Sequence, residues 1–426
     1  MKARFEHFYR SLADRRAHAL LIYVTAATIL LVSIGGIVSS TTIGLLVVLG
    51  ILTLVFDANI RGALLDSKKL MPLTILMGGV LVWQCLGIAF RTPTDKQAAT
   101  VLGSAIGIAM LLPLLLAALQ RDPQFRGRLF RALLVLGCIA AAISLARYAI
   151  ILGQDGRFSI KELLGERLVP IGRANHQILG AGGLAACFFA GLAIYPKVTF
   201  RQKRLIVAGL LLIAITVALT QSRGPILAIG LALIATSILE LFRTPAKRVT
   251  AGLVLAALCF AIPVVFVLAE PWLKAWACTT HISMCRPSNR QDVWGLVSEM
   301  IQERLWFGIG PSFRFPGGAV SHPHNGILGL IFYFGLPMAL LFLSIIAFAV
   351  KQAAAAPPSP SRTFALLGIF FSMSFVATDL SNPFAFVNTL YLYLWLPVWL
   401  GALLVLASHD DPPVAASSAP PPNPSA

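Results

Sequence analysis

The stretch AGLVLAALCFAIPVVFVLA, residues 251–269, decides the fold class. It carries no charged side chain over a length that crosses a ~30 Å hydrocarbon core as an α-helix. In lipid only a helix or a closed barrel satisfies every backbone group internally. Runs of the same kind recur on both sides of it, near 17–38, 41–56, 71–90, 98–119, 129–152, 176–195, 204–220, 224–242, 323–349, 363–378 and 386–406. The composition of the whole chain agrees. Of 426 residues, 58% are hydrophobic and 12% charged, with mean hydropathy +0.83, whereas soluble domains are ~45–50% apolar and ~25% charged. The expected architecture is an all-α polytopic membrane protein with about twelve transmembrane helices. The runs 41–56 and 363–378 are the shortest and weakest of the set.

The charge pattern orients these spans. The formal net charge is +17, but the basic residues do not cluster on one face as in a nucleic-acid binder. They recur in short loops between apolar runs, the pattern of the positive-inside rule. Twelve spans place both termini on one side. That side holds 21 Lys and Arg and the other holds 12, with Arg147 inside a span. The expected orientation is both termini cytoplasmic. The basic start (Lys2, Arg4, Arg10, Arg15, Arg16) leads into an apolar run too long for a signal h-region, so no removable signal peptide is expected.

The expected organisation is one transmembrane domain, 1–409, with a periplasmic loop at 270–322 between the ninth and tenth spans. In that loop Ser288 can cap a helix reaching about Leu305, with Val293, Leu296, Val297, Met300 and Ile301 as its apolar stripe. The tail DDPPVAASSAPPPNPSA, 410–426, has a disordered, cytoplasmic composition. Cys278 and Cys285 lie in the loop, where an oxidising periplasm permits a disulfide; free thiols, or a metal site with His281, are the alternatives.

Two short motifs carry chemistry. The first is Ser321-His322-Pro323-His324-Asn325-Gly326, where Pro323 can open a helix and place His324 in its first turn. The positive end of the helix dipole there disfavours imidazolium and leaves a neutral base. A plain capping histidine is the alternative. The second is Thr220-Gln221-Ser222-Arg223-Gly224-Pro225, too short to be a solvated loop. Ser222 can cap the next helix, and Arg223 beside free backbone N–H groups suits a phosphate. Snorkelling or an ion pair is the competing reading. Arg290 (in Ser288-Asn289-Arg290), Arg173 (in Gly172-Arg173-Ala174-Asn175-His176) and Asp379 (in Thr378-Asp379-Leu380) add charge near the same side. Asp379 can orient His324, hold Arg223, or merely end a helix. No Walker loop, CxxC or GxSxG is present.

These residues resemble the bacterial O-antigen ligases and the wider ligase/polymerase superfamily. The resemblance runs through Ser222-Arg223-Gly224, Arg290 with Trp294, Leu305-Trp306-Phe307-Gly308-Ile309-Gly310-Pro311, and His324-Asn325 followed after nine residues by Gly335. Met338 departs mildly from the family pattern, and the N-terminal half matches only in hydropathy. The resemblance implies a membrane glycosyltransferase of the C type. It would transfer polysaccharide from undecaprenyl diphosphate to a sugar hydroxyl of lipid A–core oligosaccharide, inverting and without metal or cofactor, at the periplasmic face of a Gram-negative inner membrane. It implies His324 as base or orienter of the acceptor, and Arg223 and Arg290 as holders of the diphosphate, with Arg173 of the same character. Asp379, Asn325 and Ser222 would support them. An O-antigen polymerase, a protein O-oligosaccharyltransferase and a transporter are the rival expectations.

Overall fold

The computed structural model describes residues 39–90, 96–122, 124–154, 166–171, 176–272, 290–313, 315, 322–384 and 390–406. Among them every regular element is helical and there is no strand. The chain runs through α1 (Ser39–Phe56), α2 (Ala58–Leu65), α3 (Met71–Phe90), α4 (Lys96–Arg121), α5 (Phe125–Gln154), α6 (Gln177–Ile194), α7 (Phe200–Leu219), α8 (Arg223–Glu240) and α9 (Pro245–Leu268). After the loop come α10 (Arg290–Glu303), α11 (Gly326–Phe334), α12 (Leu336–Ala355), α13 (Pro360–Thr378) and α14 (Leu396–Leu403).

The described residues contain nine helices long and apolar enough to cross a membrane, or ten if α1 and α2 form one broken span. Three of the twelve expected runs differ. The run 41–56 lies in α1, which meets α2 at a 93° bend. There Asp57 stops α1 and caps α2 by accepting from the backbone N–H groups of Asn59 and Ile60. The run 323–349 is two helices, because Gly335 adopts φ +86° and ends α11 after nine residues; the span itself is α12. The run 386–406 is a shorter apolar helix, Tyr391–Leu406, that begins in a π turn over Tyr391–Trp395. The expected span 17–38, the tail 410–426, the Ser288 cap, Arg173 and the Cys278–Cys285 pair lie outside the described residues.

α13 forms the axis of the bundle. From Ser361 to Thr378 only Thr363 is not fully buried. It packs against α6, α8, α9, α12 and α14. Its sequence is short and hydroxyl-rich because it meets protein rather than lipid. Ser372 donates to the carbonyl of Gly368 at 2.7 Å and Ser374 to that of Cys259 at 2.8 Å. At its start Arg362, 1% exposed, pairs with Glu240 at the end of α8 and donates from Nε to the carbonyl of Ala353. The peripheral helices show the opposite character. Ile75, Val82, Val135, Ile139, Leu205 and Leu211 are exposed, the surface a lipid-facing bundle presents rather than a soluble one.

Candidate active site

At the end of the bundle opposite the Arg362–Glu240 pair, α8 begins after a three-residue turn. Ser222 holds the capping position but gives α8 no side-chain hydrogen bond. Its hydroxyl instead accepts from Arg167 Nη2 at 2.9 Å, and Arg167 Nε donates to the carbonyl of Thr220 at 3.0 Å. Gln221 sits at φ +49° with its amide donating to the carbonyl of Glu166. The segment Glu166–Arg167 therefore clamps the turn that aims Arg223.

Arg223, half-buried, lies 3.6 Å from Glu270, a buried acid at the end of α9. Its neighbour Gly224 is pressed against the Asp379 carboxylate so closely that a Cβ there would overlap an oxygen. Asp379 terminates α13, and its side chain is 1% exposed. Its Oδ1 accepts from Arg290 Nη2 at 2.7 Å and its Oδ2 from the Thr378 hydroxyl at 2.8 Å. Asp379 thus holds Arg290, and not Arg223 as the sequence also allowed. Through the Gly224 contact it fixes Arg290 beside the start of α8.

The same helix that presents Arg290 positions the histidine. Trp294, one turn further along α10, donates from its indole to the carbonyl of Pro323 at 2.9 Å. The apolar stripe of α10 buries Val293 and Val297, while Leu296 stays exposed. His324 is not in a helical first turn, a correction to the sequence expectation. Asn325 is the N-cap of α11, accepting from the backbone N–H of Leu328 at 3.0 Å, and Pro323 and His324 precede it. His324 adopts φ +52°. Among the described residues only Gln221 and His324 are non-glycine with positive φ, and both lie at this site. Backbone held in a sparsely populated region costs ~1–3 kcal/mol and persists where surrounding structure enforces it.

The His322 and His324 rings lie against each other, tilted by 48° with centroids 3.9 Å apart, and His322 Nδ1 accepts from the His324 backbone N–H at 3.3 Å. His176 caps α6, its Nδ1 accepting from the Ile178 backbone N–H. Burial, then the charges of His322, Arg290 and His176, push His324 down to about 3. Burial likewise lowers His322 and His176, while Asp379 opposes it in both. Desolvation, rather than the helix dipole expected from the sequence, is therefore the first cause disfavouring imidazolium at His324.

The nine-residue spacing from Asn325 to Gly335 has a structural reason. It is the length of α11, capped by Asn325 at one end and stopped by Gly335 at the other. The segment Leu305–Gly310 wraps that second end. Ile309 and Gly310 donate to the carbonyls of Phe332 and Tyr333, and Leu336 donates to that of Leu305. Trp83 adds a bond to the carbonyl of Phe334 at 2.8 Å and stacks on Phe307 at 4.9 Å. Met338, the departure from the family pattern, is fully buried.

Sequence reasoning brought Ser222, Arg223, Arg290, His324, Asn325 and Asp379 to one end of the chain's spans, and the structure brings them into one region. It missed Arg167 and Glu270 and gave no role to His176 or His322. Glu270 had one visible signal, an acid closing the run 251–269. Among the described residues no His, Cys, Asp and Glu cluster could hold a metal ion. No curated protein matches the chain. Residues 208–343, which hold Arg223, Arg290 and His324 and stop short of Asp379, match the family model described as O-antigen ligase, so the resemblance carried by the motifs stands over that segment.

Proposed function

We propose that the chain is an O-antigen ligase of the inner membrane, with its site on the periplasmic face and both termini in the cytoplasm. It transfers polysaccharide from undecaprenyl diphosphate to a hydroxyl of lipid A–core oligosaccharide. The observation that carries this reading is a half-buried His324 whose proton affinity is lowered by burial and by the Arg290 charge, with Arg290 held by Asp379 and Asp379 packed on the start of α8, where Arg223 lies 3.6 Å from Glu270.

In this reading the acceptor oxygen attacks the anomeric carbon while His324 takes its proton. The bond from that carbon to the diphosphate oxygen breaks, and the undecaprenyl diphosphate leaves with the bonding pair. Arg223 and Arg290 meet the charge of the leaving group, as charge-assisted donors in a partly desolvated site. Asp379 and Glu270 keep the two guanidiniums in place when no donor is bound.

An imidazole held near 3 is a weak base, and general bases work best with pKa values near the working pH. The bound diphosphate supplies the correction. Its negative charge offsets the Arg290 charge and favours imidazolium, so His324 gains proton affinity when the donor is seated. Transfer of the acceptor proton is thereby tied to donor binding.

The test is His324→Ala in the native host. Lipopolysaccharide on a gel should lose its O-antigen ladder and keep lipid A–core, with the variant present in the membrane at normal level. A full ladder would remove His324 from the chemistry. A rung of core plus one repeat would point to an O-antigen polymerase instead.

A further inference from the structure

At the opposite, basic end of the bundle, a cavity of about 750 Å³ opens between α5, α7 and the turn before α13. That volume lies in the range of small-molecule sites, ~300–1,000 Å³. Its polar wall includes Arg126, Arg131, Lys197 and Gln202, and its lining contains no Asp or Glu. Arg121 pairs with Asp57, Arg128 with Asp122 and Arg362 with Glu240. Asp57, Asp122 and Glu240 are thus engaged elsewhere and are not among the lining residues, while three cations line the cavity.

The other wall is apolar and reaches the outer surface. Val135, Ile139 and Leu205 line the cavity and are exposed. On α5 the exposed strip continues at i+4 spacing through Ile143. Cations at one end of an apolar surface groove complement a phosphodiester joined to acyl chains. A soluble anion would use only the first half of this surface.

We propose that this cavity binds the headgroup of an anionic diacyl glycerophospholipid, with acyl chains along Val135, Ile139 and Leu205. Basic pockets between spans at a cytoplasmic surface have the electrostatics such lipids seek. The site is remote from His324, so it stands or falls apart from the proposed transfer reaction.

The purified full chain in detergent is titrated with phosphatidylglycerol and read by native mass spectrometry. One retained lipid per chain is expected, with phosphatidylethanolamine held much more weakly. R131Q/K197Q should lower phosphatidylglycerol affinity roughly tenfold or more, since each basic residue near a headgroup strengthens binding several-fold. Lys351→Gln, which removes an exposed lysine that does not line the cavity, should change little. A thermal-shift titration gives a second readout, with phosphatidylglycerol raising the Tm of wild type more than that of the double variant. Equal loss in Lys351→Gln would reduce the effect to general positive charge and overturn the site. So would undiminished binding in the double variant, or full competition by glycerol phosphate, which lacks acyl chains.

Discussion

At the residue scale, the site depends on the absence of one side chain. Gly224 allows the Asp379 carboxylate to lie against the start of α8, and any Cβ there displaces it. Gly224→Ala should push Asp379 off Arg290, lowering turnover by about tenfold or more, while overpacking costs ~1–3 kcal/mol. Turnover with lipid-linked donor and a thermal melt would separate the two effects. His324 sets the pH behaviour. Because its pKa is depressed to about 3, the acid limb of kcat/KM should fall below pH 6.5. The limb of kcat should lie higher, since bound diphosphate favours imidazolium. A limb of kcat/KM at 6.5 or above would contradict a desolvated His324. The linkage sign is the same. An unfolded histidine titrates near ~6.5, so stability is fully present above that pH and declines as pH falls toward the folded value.

At the scale of elements, two short helices do what the long spans cannot. α10 delivers Arg290 to Asp379 and Trp294 to the Pro323 carbonyl from one face. Trp294→Phe keeps the ring but orphans that carbonyl, a loss of ~1–3 kcal/mol. It should loosen the His324 loop and lower turnover more than it lowers donor affinity, which steady-state kinetics would show. The sequence motif of nine residues between Asn325 and Gly335 is legible as spacing. Its meaning as one capped helix, with a glycine at φ +86° pressed on the Trp306 carbonyl, is a structural fact. Hydropathy read 323–349 as one span because α11 and α12 are both apolar, and apolarity alone does not register a change of direction.

At the scale of the whole molecule, helical spans follow from composition, while their arrangement depends on which helix is enclosed. α13 is the most enclosed of the described spans, although its shortness made it one of the weakest candidates. Charge asymmetry predicts the sidedness. Reporter fusions check it: green fluorescent protein joined after Arg243 should fluoresce, and alkaline phosphatase joined after Glu303 should be active. The reverse pattern would invert the proposed topology and move the site to the wrong side for its donor. By itself, the sequence determined that the chain is a bundle of apolar helices, because unpaired backbone groups are too costly in lipid. It also marked Arg223, Arg290, His324 and Asp379 as polar residues at span ends. Only the tertiary structure decided their partners. Arg290 meets Asp379 across 89 residues of chain and Arg223 approaches Glu270 from another helix. Such pairings follow from how helices pack in space, and no local pattern of residues encodes that.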